Sequence, residues 1–314
     1  MSKPVDSLDI VIPVYKTRYL PNLLESIARQ TSGRFRVVVA DDGSPEDVRE
    51  VCDQYSSAFP LTYIRFDENL GSMDLVKHWN RAVESSEARW LLLPGDDDEL
   101  ESNCIESFWK TVEEEGVTSE VYSFGIRVID ESGKIVAQRD AAGVDSSAGF
   151  LEKRFTGKIY PMPVGYVFSR DVFERCNGFV SFDRGWHSDD ASLAKFCAVS
   201  GIAPIRGAFV RWRESDINIS PDMQRSSFRR TCASIEFVSW MIGSRSYLRI
   251  SDEEMKRLIS EIGYWPWYPA VSGSAGFVSW LSVSWRASRI LCEWTSDSFS
   301  RHFFRFLRSK FIHS

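Results

Sequence analysis

Arg89-Trp-Leu-Leu-Leu-Pro-Gly-Asp-Asp-Asp-Glu-Leu100 is a short apolar run that stops at Pro94-Gly95 and is followed at once by three aspartates. Adjacent carboxylates raise one another's pKa and oppose compaction, so at a strand end they need a cation or a set of hydrogen-bond donors to hold them. Hard oxygen ligands suit Mg²⁺ or Mn²⁺, which use one or two protein carboxylates and complete their shell with water and substrate phosphate oxygens. The same residues also suit a solvated turn that opens a helix, because aspartates are favoured at helix N-termini. A second acidic turn shifts the balance toward a site. Phe35-Arg-Val-Val-Val-Ala-Asp-Asp-Gly-Ser44 repeats the arrangement, an apolar run with paired aspartates at its end. In an open α/β sheet the carboxyl ends of parallel strands face one crevice, and ligands bind there.

Outward from these two turns the chain alternates. Residues 8–14, 35–40, 61–66 and 90–93 have the short, β-branched character of strands, and 20–27, 48–55 and 73–83 have helical apolar spacing. This rhythm predicts an α/β fold with a mainly parallel sheet covered by helices on both faces, and residues 1–100 read as a nucleotide-fold-like half. Beyond Asn103 the rhythm changes. The sequence predicts strands over 121–129, 135–138 and 164–169, a hairpin turn at 130–134, and a mobile loop over 140–149. Helices are expected at 171–176, stopped by Asn177-Gly178, and at 191–199. From Ser226 the chain reads as all helical, with a capping box at Ser251 and Glu254.

With 314 residues and 43% hydrophobic content the chain can bury a sizeable core, and its net charge of −6 argues against a general nucleic-acid surface. Six cysteines lie far apart with no paired spacing, which suits thiols in a reducing compartment. The N-terminus carries no secretory pattern, so a cytoplasmic location is expected. The C-terminus differs from the average. Residues 262–285 carry no charge but include Pro266 and Pro269, which makes a membrane span a poor fit. Trp265, Trp267, Trp280 and Trp285, followed by Arg286, Arg289, Arg301, Arg305, Arg308 and Lys310 against Glu293 and Asp297, suit a segment lying on an anionic bilayer surface.

Ile12-Pro-Val-Tyr15, Asp41-Asp-Gly-Ser44, Asn69-Leu-Gly71, Asn80 with Ala82, Gly95-Asp-Asp-Asp98 and Trp186-His-Ser-Asp-Asp190, in this order, resemble family 2 glycosyltransferases of the GT-A fold over about residues 8–215. The resemblance implies a Rossmann-like, mainly parallel mixed sheet flanked by helices, spanning residues 1–222. Within it, 1–100 would be the nucleotide-binding half and 101–222 the acceptor side, with 223–314 a helical C-terminal region. It also implies a nucleotide-diphospho-sugar donor, UDP- or dTDP-linked, a divalent metal and inversion at the anomeric carbon, while the basic aromatic tail points to a saccharide or lipid-linked saccharide acceptor.

Carried over residue by residue, Pro13 and Tyr15 would line the base and ribose. Asp42, beside Asp41, would contact the base, since a carboxylate can accept from a uracil or thymine N3–H. The metal motif departs from the commoner Asp-x-Asp-Asp, because Gly95 takes the place of its first aspartate. Asp97 is then the expected direct ligand, with Asp98 also at the metal and Asp96 toward the nucleotide, while an alternative register takes Asp96 and Asp98 as the ligands. Asp190 is the first choice for the base that deprotonates the acceptor hydroxyl, and Asp189 the second. Arg213, in Arg211-Trp-Arg213 before Asn218-Ile-Ser220, would reach the donor phosphate from a covering loop. The Gln-x-x-Arg-Trp motif of processive relatives is absent, which implies a single addition. Two other readings compete: a sugar-nucleotide nucleotidyltransferase, although residues 10–30 lack the glycines of its phosphate loop, and a nucleotide-sugar-binding scaffold without activity.

Overall fold

The structure, a computed structural model, describes residues 7–215, 227–262, 277–295, 298 and 300–303. Its strands are β1 (Leu8–Val14), β2 (Arg36–Asp41), β3 (Leu61–Arg65), β4 (Trp90–Leu92), β5 (Glu99–Leu100), β6 (Val121–Ile129), β7 (Ile135–Arg139), β8 (Tyr166–Ser169) and β9 (Ala203–Arg213). Its helices are α1 (Leu20–Ala28), α2 (Val48–Asp53), α3 (Leu75–Glu84), α4 (Cys104–Glu115), α5 (Ser147–Phe155), α6 (Arg170–Arg175), α7 (Ser188–Phe196), α8 (Ser227–Gly243), α9 (Asp252–Ile262) and α10 (Phe277–Trp294).

The strands form one mixed sheet in the order β3-β2-β1-β4-β8-β6-β9-β5, with β7 paired to β6. The first four are parallel, β8 runs antiparallel to both β4 and β6, and β9 lies parallel to β6. Side chains alternate across a strand, and β1 uses both faces. Ile10 and Ile12 pack with Leu20, Leu23, Leu24 and Ile27 of α1, whereas Val11 packs with Val76 and Val83 of α3. A fully buried aliphatic side chain contributes about 1.5–3 kcal/mol. The doubly covered strands therefore carry the stability, which frees the loops at their carboxyl ends to hold mutually repelling carboxylates.

The strand-helix alternation through β4 and the α/β class are as the sequence predicts, and four features differ. Helix α4 follows Asn103 directly. The stretch 140–149 is only partly loop, because Ser146 Oγ accepts from the Gly149 amide at 3.1 Å and opens α5. Helix α7 begins at Ser188, so Asp189 and Asp190 lie in its first turn. Residues 203–213 form the long strand β9, so Arg213 ends a strand and does not belong to a covering loop. Residues 218–220 lie outside the described residues.

The C-terminal helices are part of the same body. Ile235, Phe237 and Met241 of α8, Leu258 of α9 and Leu291 of α10 belong to one buried cluster with Val11 and Leu91 of the sheet. The capping box forms, with the Ser251 amide donating to Glu254 at 2.9 Å and the Glu254 amide donating to Ser251 Oγ at 3.3 Å. No described helix is long and apolar enough to cross a membrane. Trp285 is half exposed, while Trp265, Trp267, Arg305, Arg308 and Lys310 lie outside the described residues, as does the side chain of Trp280.

Candidate active site

The carboxyl ends of β1, β2 and β4 meet in one crevice, and hydrogen bonds between their loops show it. Asp96 Oδ2 accepts from the amides of Tyr15 at 3.2 Å and Lys16 at 3.0 Å, and Ser44 Oγ donates to the Tyr15 carbonyl at 2.8 Å. Tyr15 is 39% exposed and Pro13 half-buried, so this rim is open to a ligand.

Asp41 and Asp42, by contrast, are almost wholly buried. Asp41 accepts from the Ser44 amide at 2.7 Å, Tyr63 Oη at 2.6 Å and Arg65 Nη1 at 2.7 Å, which fixes the turn after β2. Asp42 accepts from the amides of Leu70 at 2.9 Å and Gly71 at 2.7 Å, and from Arg81. A Cβ on Gly71 would lie 2.7 Å from Asp42 Oδ2, so only glycine allows that approach. Both aspartates thus shape the wall of the crevice. Both oxygens of Asp41 are committed to protein partners. Asp42 meets the crevice through the 69–71 turn that it holds.

The second acidic loop is less fully satisfied. Burial, then repulsion from Asp96, pushes Asp97 up to about 6, and burial with the Asp97 charge raises Asp98 as well. Burial also raises Asp96 against the two amides that it accepts from. Asp98 Oδ2 accepts from the Gly95 amide at 2.8 Å, but its Oδ1 is buried with no hydrogen-bond partner among the described residues. A Cβ at position 95 would meet Asp97 Oδ1 at 3.0 Å and Asp98 Oδ2 at 3.3 Å, so Gly95 lets two carboxylates converge. Among the described residues no group of three or more His, Cys, Asp or Glu side chains could hold a metal. Asp97 and Asp98 are the two carboxylates that the absence of a side chain at Gly95 brings together.

Arg213 acts on this loop from behind. It is 2% exposed, and it donates to the Asp97 carbonyl at 3.0 Å, the Asp130 carbonyl at 3.1 Å and the Glu131 carbonyl at 3.3 Å. It pairs with Glu99 and stacks on Tyr19. In place of the covering loop expected to reach the phosphate, Arg213 is a buried brace whose donors go to the Asp97 carbonyl, the Asp130 and Glu131 carbonyls and Glu99.

The third acidic element lies alongside. Val167 of β8 pairs with Leu92 of β4, so the turn 163–165 before β8 runs beside the start of the acidic loop. Pro163 lines a small apolar pocket with Trp79, Tyr166, Phe168 and Phe179, and Asp189 is its acidic member. Asp189 Oδ1 accepts from the Asp190 amide at 2.8 Å, and Oδ2 has no partner among the described residues. Burial, then the charge of Asp190, pushes Asp189 up to about 7. Asp190 is 2% exposed and engaged on both oxygens, with Arg154 Nε at 2.6 Å and His187 Nδ1 at 2.9 Å. Burial would raise it, but Arg154 and His187 outweigh that and hold it at about 2. The pair is divided into a locked anion and a carboxyl poised near neutrality with an open oxygen. Arg154 and Trp79 carry no signal in the sequence, and His187 only its place in the Trp186-His-Ser-Asp-Asp190 motif.

A sequence profile described as Glycosyl transferase family 2 matches residues 9–176. Among known proteins, the chain is 27% identical over 108 residues to the Glycosyltransferase GlyG of Streptococcus pneumoniae, a stretch covering 34% of this chain and 35% of that protein. It is 40% identical over 92 residues to an uncharacterized glycosyltransferase of Haemophilus influenzae, covering 29% of each. These matches span about a third of each relative's length. Among solved structures, Staphylococcus aureus TarS 1–349 in complex with UDP superposes with a TM-score of 0.70 at 13% identity, covering 98% of this chain and 88% of that one. The same protein in complex with UDP-GlcNAc gives a TM-score of 0.67 at 15% identity, over 91% of this chain and 81% of that one.

Proposed function

Because the chain belongs to glycosyl transferase family 2, we propose that it transfers one sugar, with inversion, from a nucleotide-diphospho-sugar to a hydroxyl of a cell-surface polysaccharide or glycolipid precursor at the cytoplasmic face of the membrane. The observation that carries this reading is the division of labour in the crevice. An acidic loop with an unpaired buried carboxylate oxygen at Asp98 runs beside a pocket whose acid, Asp189, is poised near neutrality. A nucleotidyltransferase or a silent scaffold has no use for the second of these.

In this reading Pro13 and Tyr15 line the base and ribose, and the 69–71 turn held by Asp42 closes the base edge. Asp97 and Asp98 would hold Mg²⁺ or Mn²⁺, which offsets the negative charge of the departing diphosphate when bound. The acceptor oxygen attacks the anomeric carbon as the bond from that carbon to the diphosphate oxygen breaks, and the acceptor proton passes to Asp189 Oδ2. The resemblance favours Asp190 for that last role. The geometry favours Asp189, because a base must first have an oxygen within reach of the proton. UDP is the favoured nucleotide, supported by the UDP and UDP-GlcNAc complexes of the structural neighbour.

Isothermal calorimetry with UDP-sugars tests the donor site. Asp97→Asn is expected to weaken donor binding by roughly 10-fold or more, comparable with the loss on perturbing a metal's surroundings, and chelator is expected to do the same to the wild type. Undiminished affinity under both conditions would remove the cation from the reading. A membrane-bound acceptor is supported by half-exposed Trp285 and by the basic tail. Basic residues contribute on the order of 1 kcal/mol each near an anionic surface. Reversing the charge of Arg301, Arg305 and Arg308 should therefore abolish salt-sensitive sedimentation with anionic vesicles, and equal sedimentation of the two forms would assign the tail to packing alone.

A further inference from the structure

We propose that His187, held by Ser234 of α8, is a positioning residue for the Asp189–Asp190 pair, so that the C-terminal helices form part of the site. This rests on the glycosyl-transfer reading above. His187 Nδ1 lies 2.9 Å from Asp190 Oδ2, and its Nε2 lies 2.9 Å from Ser234 Oγ, a residue 47 positions away. Ser234 is 3% exposed, so water does not compete for that bond.

Proton bookkeeping gives the relay a direction. Asp190 is an anion and accepts only, so Nδ1 must carry a hydrogen. In the neutral ring Nε2 then accepts from the Ser234 hydroxyl. In the imidazolium Nε2 donates to Ser234, whose own hydrogen turns to the Arg230 carbonyl, 3.1 Å away. Ser234 serves the histidine in either state while Asp190 keeps the same partner. Arg154 from α5 holds the other oxygen of Asp190, and among the described residues Tyr166 and Cys197 beside it and Arg230 of α8 are further titratable neighbours of this cluster.

The backbone and the packing agree. His187 has φ 64° and Arg184 φ 55°, left-handed values uncommon outside glycine. Such conformations persist where the surroundings over-determine them, and they cluster at functional sites. Here the surroundings are one face of α8. Arg229 grips Asp183 through two bonds of 3.0 and 2.8 Å, and Phe237 stacks on the His187 ring at 4.9 Å with 11° between planes. Arg230, Ser234 and Phe237 follow the i, i+4, i+7 spacing of one helical stripe.

The test uses the full chain and steady-state transfer to an acceptor with a UDP-sugar as donor. His187→Ala is expected to lower kcat by about 10–100-fold, the value of a hydrogen bond to a charged group, with KM for the donor nearly unchanged. His187→Asn, which tolerates the left-handed backbone and still offers an N–H, should recover part of that loss. Ser234→Ala should lower kcat by about 2–10-fold and Ser234→Thr should restore it. Thermal midpoints identify any variant that fails to fold, and the Ser234 pair then decides. Unchanged kcat in both alanine variants, or equal losses in kcat and donor affinity, overturns the positioning role. Nitrogen-15 histidine spectra of the wild type and Ser234→Ala read the relay without catalysis. If no donor is turned over, the function reading fails, and an unprotonated Nδ1 in His187 overturns the relay by itself.

Discussion

Asp189→Asn is expected to reduce transfer by about 10²–10⁴-fold, the usual contribution of a positioned general base, while the fold and donor affinity remain. The wild type should show the same group in its pH profile. Asp189 is pushed up to about 7 by burial and by the Asp190 charge, and it must be unprotonated to accept a proton. The rate should therefore rise as pH passes upward through about 7 and level off above it. Asp190→Asn removes a neighbouring negative charge, so Asp189 loses its proton more readily and the acid limb moves to lower pH. Were Asp190 the base, its value of about 2 would leave no limb of its own near neutrality, so Asp190→Asn would not shift the limb and would be the more damaging change. Rate profiles of the three proteins from pH 5 to 9 decide between the two assignments; that range brackets the free-enzyme pKa that such profiles report.

The second large effect is on stability. Arg213→Met should destabilise the fold by about 3–5 kcal/mol, because it leaves three backbone carbonyls and Glu99 Oε1 without the guanidinium, Glu99 keeping only Arg211 on its other oxygen. Denaturant unfolding measures this directly. Donor affinity should fall only as far as the loop carrying Asp97 loosens. A variant of normal stability that had lost donor binding would return Arg213 to the phosphate role that its sequence context first suggests.

Arg213 also shows where sequence reading stops. The parallel strands β1 to β4 are legible because each is buried on both faces and ends in turn residues, so apolar runs and punctuation lie within a few positions of each other. Strand β9 is not. Its alternation is broken at Gly207, which takes φ 74°, and it pairs in parallel with β6, from which it is separated by five intervening strands and helices. The acids at 41, 42, 96, 97, 98, 189 and 190 are visible as residues, but the division of the last pair is set by groups that the fold brings together. The resemblance ranks Asp190 above Asp189 from position alone. Arg154, His187 and Ser234 come from three separate segments, and it is they that turn one acid into a locked ion and leave the other with an open oxygen.

The placement of β9 between β6 and β5 also orders events at the ribosome. Leu100 pairs with Val210 and Glu99 with Arg211, more than a hundred residues downstream. While the chain is being synthesised, the end of the acidic loop has no strand to rest on until residue 213 emerges and braces Asp97 from behind. Contacts of such long separation form late, because loop-closure entropy must be overcome first. The acidic loop is therefore expected to gain its β9 partner and the Arg213 brace late in folding.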